Sequence, residues 1–182
     1  MVQPLGCALA GQLVILAQEG RQLQRLEVMR QEQLGRSKGG SRGYDADKKI
    51  AGRKRHIRTD IDGRLLCVQV QTASMQDRDG AKPMLRASRD LWNFVEVVFA
   101  DSGYAGKLVA WAKEKTNLAL SIVKRPRAVP RCEPLPRRWV VGRTCGWLIK
   151  NRRLVRDFEQ RTDVAETLIR IAATATMLRR IA

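Results

Sequence analysis

The amino-acid sequence predicts an α/β or α+β domain, a mixed β-sheet covered by helices. Apolar and polar residues follow a period of two on either side of Asp62-Gly63, and helical and strand patterns alternate between residues 79 and 123. The composition permits such a fold. Hydrophobic residues make up 44% of the 182, enough to bury a core, which excludes a fully disordered chain despite the charge.

Residues 1–40 are rich in glutamine, with leucines at Leu9, Leu13, Leu16, Leu23 and Leu26. These spacings suit a helix with an apolar stripe, and Glu27 and Glu32 fall on it. Residues 37–41 read as a flexible loop. Residues 56–60 form a strand, Asp62-Gly63 supplies the positive φ a tight turn needs, and residues 65–70 form the returning strand. The unbroken apolar run Leu65-Leu66-Cys67-Val68 indicates cover on both faces.

Residues 79–92 form a helix with Pro83 in its first turn. Residues 95–100 form a β-branched strand that ends at Asp101-Ser102-Gly103-Tyr104. A helix over 105–115 and a strand over 118–123 follow. Pro126, Pro130, Pro134 and Pro136 make the next stretch an irregular, basic loop. Residues 137–182 are helical. Val140, Thr144, Trp147, Leu148, Leu154, Val155 and Phe158 share one broad face. Val164, Leu168, Ile171, Ala172, Ala175 and Leu178 form a second stripe, after Asp163 at a helix N-terminus.

Lys and Arg number 35 against 18 Asp and Glu, a formal net charge of +17, and the pI is near 10.8. That balance points to a polyanionic partner, nucleic acid first. No segment approaches the ~20 apolar residues of a spanning helix, and residues 13–17, which follow no basic leader, do not resemble a signal peptide. Cys7, Cys67, Cys132 and Cys145 form no CxxC pair, and the single histidine, His56, completes no zinc set. They read as reduced thiols of a cytosolic protein.

Asp101 is the most informative residue. It follows a buried strand directly, and ligand-binding groups in such sheets collect outside the strands' carboxyl ends. A carboxylate there can bind a hard cation such as Mg²⁺ or cap the following turn. Cations gather at Arg53-Lys54-Arg55-His56, at Lys124-Arg125-Pro126-Arg127, at Arg137-Arg138, at Arg152-Arg153 and at Arg179-Arg180. Together they can hold phosphates non-specifically; each run alone also reads as solvated surface. Asp77 and Asp79 read as helix-capping residues. Trp92, Trp111, Trp139 and Trp147 occupy apolar helical positions and read as core.

Four blocks, in order, resemble the catalytic half of the DDE-type insertion-sequence transposases of bacteria. Residues 42–56, RGYDADKKIAGRKRH, resemble the family's RGYDAGKK-x-x-GRKRH. Residues 76–81, QDRDGA, match its QDRDGA block. Residues 100–106, ADSGYAG, resemble ADGGYAG, and residues 135–148, LPRRWVVGRTCGWL, resemble LPRRWVVERTFAWL. The resemblance runs from about Gly40 to the C-terminus. It divides the chain into a divergent helical segment, residues 1–38, and an incomplete catalytic domain, residues 39–182.

The resemblance implies an RNase H-like fold and a two-metal site of two aspartates and one glutamate. Two Mg²⁺ ions roughly 4 Å apart activate a hydroxyl and stabilise the leaving oxygen. The family's second aspartate falls on Asp101. Its glutamate position is Gly142, and its first aspartate, counted back from RGYDA, falls near Met29. The implied activity is cleavage and transfer of DNA strands, impaired here by those two losses. The implied partner is DNA at the ends of an insertion element, with a homo-oligomer assembling on it and Mg²⁺ as the metal. The implied location is the cytoplasm, on the bacterial nucleoid, and the family's N-terminal DNA-binding part is expected to be missing. The alternative is a basic nucleic-acid-binding module without catalytic ancestry; a third reading is an enzyme completed by a partner chain.

Overall fold

The computed structural model describes residues 26–35, 40–46, 49–123 and 139–181. The expected helix over residues 1–25, the loop ahead of Gly40 and the proline-rich basic loop lie outside the described residues. A six-stranded sheet is the centre of the molecule. Its strands are β1 (Leu26–Gly35), β2 (Gly43–Asp45), β3 (Ile50–Asp60), β4 (Leu65–Thr72), β5 (Val97–Ala100) and β6 (Ala119–Ile122). β4, β3 and β1 are antiparallel neighbours, and β1, β5 and β6 are parallel ones. β2 pairs with the first residues of β3, Asp45 opposite Ile50. Four described helices flank the sheet: α1 (Asp77–Leu91), α2 (Lys107–Thr116), α3 (Trp139–Ile149) and α4 (Thr162–Ile181). The architecture is RNase H-like, as expected from the resemblance.

The expected helix is corrected over residues 26–35, which form β1. β1 lies between β3, paired from Glu27–Asp60 to Gly35–Gly52, and β5, paired from Leu26–Val97 to Met29–Ala100. Without it, one edge of each of those strands would lack backbone partners inside the protein, a cost that outweighs the local helical spacing. The strand precedes the division expected at residue 39 and belongs to the same sheet.

Two apolar clusters sandwich the sheet. On one face, Leu66 of β4 and Val98 and Ala100 of β5 meet Ala81, Met84 and Leu85 of α1 and Leu108 and Ala112 of α2. On the other, Ile57, Val68, Val70 and Phe99 meet Leu148 of α3 and Ala165, Ile169, Ala172 and Ala173 of α4. The odd and even residues of a strand serve opposite faces, and β3 obeys this with cations on both. Arg53, Arg55 and Arg58 are fully buried, as is His56, and Lys54 is nearly so.

Each of these groups has polar partners on its own face. Arg53 donates to Asp157 Oδ2 at 3.2 Å, to the Glu159 carbonyl at 2.8 Å and to the Gln160 and Ser41 carbonyls. Arg55 donates to the Leu154 carbonyl at 2.9 Å. On the other face, Arg58 donates to the Met84 carbonyl and the Ser88 hydroxyl of α1.

The C-terminal region departs from one continuous helical face. α3 ends at Ile149, a short 3-10 turn spans Arg152–Leu154, and α4 begins at Thr162. The intervening backbone turns its carbonyls to Arg53 and Arg55, so Val155 and Phe158 are exposed. α4 buries only part of the expected stripe, Ala172 with Leu168 packed beside it. Ala165, Ile169, Ala172, Ala173 and Met177 are buried, whereas Val164, Ile171 and Leu178 are exposed. The alanines let α4 lie close on the sheet, and the bulky stripe faces out. α1 starts two residues earlier than expected, which places Pro83 inside the helix and past its first turn. The Asp62-Gly63 turn forms as expected, with Gly63 at φ 84°.

Gly80, on α1, lies against β3 and β4. A Cβ there would meet Gln71 Oε1 and stand 2.7 Å from His56 Nε2, both of them buried atoms. Gly80→Ala is therefore expected to lower stability by about 1–3 kcal/mol through overpacking, read as a lower urea midpoint with little change in m-value.

Candidate active site

β5 places Asp101 at its carboxyl end, where the chain leaves the sheet into the 3-10 turn Ser102–Tyr104. The Asp101 side chain caps that turn, accepting from the Gly103 backbone N–H at 3.0 Å. The capping role and a ligand role are not exclusive, because Asp101 stays partly exposed. A second carboxylate faces it. A Cβ on Gly103 would stand 3.1 Å from Asp77 Oδ2 and 3.2 Å from Asp101 Oδ1. Glycine thus keeps open the space both carboxylates border.

Asp77 does not cap α1 as expected. The N-cap is Gln76, without a side-chain cap bond, and Asp77 Oδ1 accepts from Lys54 Nζ at 2.9 Å. The same ammonium pairs with Asp45 Oδ2 at 2.9 Å and donates to the Met75 carbonyl. Burial works against the charge of Lys54. Hydrogen bonds and attraction from Asp45 and Asp77 outweigh it and hold the ammonium above its usual 10.5. Beneath the pair of carboxylates, the buried Tyr104 hydroxyl lies 2.9 Å from His56 Nδ1. Burial, reinforced by the charges of Asp101 and Asp77, pushes this phenol well above its usual 10. An open cleft of about 400 Å³ beside Gly103 is lined by Tyr44, Asp45, Lys54, Ser74, Asp77 and Arg78 among others.

A family model described as the transposase DDE domain matches residues 22–178. The chain belongs to the transposase DDE domain family. No curated protein matches the sequence. Among solved structures, it is similar to a piggyBac transposase synaptic complex with hairpin DNA, at 13% identity and a TM-score of 0.43, over 83% of this chain and 46% of that one. It is also similar to the Mos1 mariner paired end complex with Mn, at 12% identity and a TM-score of 0.42, over 96% of this chain and 59% of that one. This chain thus spans only about half the length of those transposases.

The DDE family uses divalent metal, which tests the donor set of this member. Mg²⁺ requires several oxygen ligands in a near-octahedral arrangement. Gly142, the residue the resemblance sets at the glutamate position, lies on α3 and has no side chain. On β1 the residue paired with Ala100, one step before Asp101, is Met29. Asp77 Oδ1 is engaged by Lys54. Among the described residues no group of three or more His, Cys, Asp or Glu side chains is placed to hold a metal. The described residues do not fit a two-metal site.

The expected phosphate contacts divide in three ways. Arg53, Lys54, Arg55 and His56 are corrected: they lie inside the fold, with partners there, because β3 is a central strand covered on both faces. Lys124, Arg125, Arg127, Arg137 and Arg138 lie outside the described residues. Arg152 and Arg153 are exposed, and Arg153 pairs with Glu159 at 2.7 Å. Trp92 is core as expected. Trp111 is half-buried but packs against the core cluster as expected, under Lys82 and Arg86; Trp147 is corrected, half-buried under Arg143 and Arg180. The network of Asp45, Lys54, Asp77 and Tyr104 went unpredicted, although all four members sit in the sequence blocks that carry the resemblance.

In this transposase domain Tyr104 favours its neutral form when folded. The unfolded chain therefore gains by ionising as pH rises past about 10, and stability from this group is lost in that range. Lys54 acts in the same direction, its contribution being full below 10.5 and lost as pH rises through its higher folded value. Urea unfolding at pH 9 and pH 10.5 is expected to show a fall in stability that is smaller in Tyr104→Phe. That variant starts about 1–3 kcal/mol less stable, having removed a partner of a buried ring nitrogen.

Proposed function

We propose that this chain is a transposase-derived DNA-binding protein in which two-metal strand cleavage is impaired. The observation that carries the reading is the company Asp101 keeps. It stands at the tip of β5, the resemblance sets Gly142 and a residue near Met29 at the other two family positions, and Asp77 is held by Lys54. A lone carboxylate binds Mg²⁺ weakly, and loss of one member of a catalytic set commonly removes most of the rate.

DNA binding depends on none of the missing groups. It draws on the net charge of +17 and on exposed cations such as Arg152 and Arg153. The DNA is that of insertion-element ends, bound by more than one copy of the chain on the bacterial nucleoid. No helix among the described residues is long and apolar enough to cross a membrane.

The test is a pair of measurements on the purified chain. Anisotropy of labelled duplex DNA is expected to show binding that weakens linearly in log–log against salt, with Asp101→Ala altering affinity less than about twofold. Supercoiled plasmid in a Mg²⁺ titration is expected to stay intact. Nicking that requires Mg²⁺ and disappears in Asp101→Ala would overturn the impairment.

A further inference from the structure

The β3–β4 turn lies at the end of the sheet opposite Asp101. Asp60, just before the turn, pairs with Glu27 near the start of β1, and Leu26 pairs with Val97 at the start of β5. Asp101 follows the other end of β5. Two cations from different helices converge on this turn. Arg143 of α3 donates to the Asp62 carbonyl at 2.8 Å, and Arg180 of α4 reaches the same oxygen at 3.4 Å. Between them lies the Trp147 ring, with the two guanidinium carbons 4.8 and 4.9 Å from its centre. The stacking fixes two flexible side chains in place before any ligand arrives.

Beside this stack is an open groove of about 340 Å³, lined by Trp147, Lys150, Asn151, Thr176, Arg179 and Arg180. The lining contains three cations and no carboxylate. Among the described residues no carboxylate pairs with Lys150, Arg179 or Arg180. The cleft between α1 and α2 differs: there Asp79 and Glu114 line the wall, and Asp79 pairs with Lys82. An uncompensated cationic groove, part of it held rigid, suits the phosphates of a nucleic-acid backbone.

We propose that the groove between the C-terminal ends of α3 and α4 is a phosphate-binding contact for DNA, separate from the Asp101 cleft. It rests on the DNA-binding reading above and adds where a second stretch of backbone is held. Lys150 and Arg179 supply exposed charges, Arg180, stacked on Trp147, supplies an oriented one, and Asn151 offers a neutral donor at the groove wall. The contact carries no base preference of its own, because none of these groups is aimed into a shape that reads base edges.

The test compares double variants of the full chain by anisotropy on a 30-base-pair duplex across a salt series. Lys150→Gln with Arg179→Gln is expected to lower the salt slope by about 1–2 and the affinity at 0.1 M salt about tenfold. Lys150→Arg with Arg179→Lys keeps the charge and is expected to bind like the unsubstituted chain. Lys113→Gln with Lys115→Gln removes equal charge from exposed positions on α2 and is expected to change the slope by less than half as much. Urea midpoints of all three are expected to match the parent, since each altered side chain is exposed. An equal effect from the α2 pair, or none from the groove pair, would overturn the proposal while leaving DNA binding itself intact. Failure of the unsubstituted chain to bind the duplex would instead overturn the DNA-binding reading.

Discussion

Moving a guanidinium from water into a protein interior costs several kcal/mol unless its donors are met. β3 makes that demand at Arg53, Arg55 and Arg58 and adds Lys54 and His56 between them. The surrounding elements are arranged as the answer. The segment after α3 stops being helical and presents carbonyls of Leu154, Glu159 and Gln160, together with the Asp157 carboxylate, to Arg53 and Arg55. α1 presents the Met84 carbonyl and the Ser88 hydroxyl to Arg58. Apolar burial alone would allow the helices to slide along the sheet. Directional donors on both faces of one strand fix where α1 and the C-terminal segment sit.

The same strand organises the cleft beside Asp101. Lys54 draws Asp45 from β2 and Asp77 from α1 to one ammonium, and His56 meets Tyr104 from the turn that Asp101 caps. Four separate stretches of sequence thereby converge on one wall. The arrangement holds Asp77 close to Asp101 but also occupies one of its oxygens. The cation that shapes the cleft therefore competes with any metal for the second carboxylate. Gly142 on α3 offers only backbone. In this member of the transposase DDE domain family, no group of three or more His, Cys, Asp or Glu side chains among the described residues is placed to hold a metal.

Much of this was legible from residues alone, and the failures share a cause. The hairpin around Asp62-Gly63, the strand leading to Asp101 and the helix after it follow from local pattern and turn chemistry, and they form. β1 was hidden because its residues carry helical spacing and few β-branched side chains; it becomes a strand because two other strands need a partner between them. The basic run on β3 read as surface because charge usually lies there. Nothing local reveals that Asp157, 104 residues after Arg53, comes to lie against it. The outward stripe of α4 was misassigned for a related reason. Both of its faces are apolar, and only the choice of small alanines for close packing distinguishes the inner one. Family resemblance singled out sequence blocks, but whether a cation in a block is structural or ligand-binding is decided by burial.

The central claim is that the cations of β3 hold the fold together and do not meet DNA. It is tested by measuring stability and DNA affinity in one set of variants: Arg53→Gln and Arg55→Gln singly, against Arg152→Gln with Arg153→Gln. The account predicts that each β3 substitution lowers the unfolding free energy by about 3–5 kcal/mol while the salt slope of the folded fraction stays at the parent value. The exposed pair should lower the slope and leave the urea midpoint in place. A β3 substitution that weakens DNA binding in a chain as stable as the parent would contradict it.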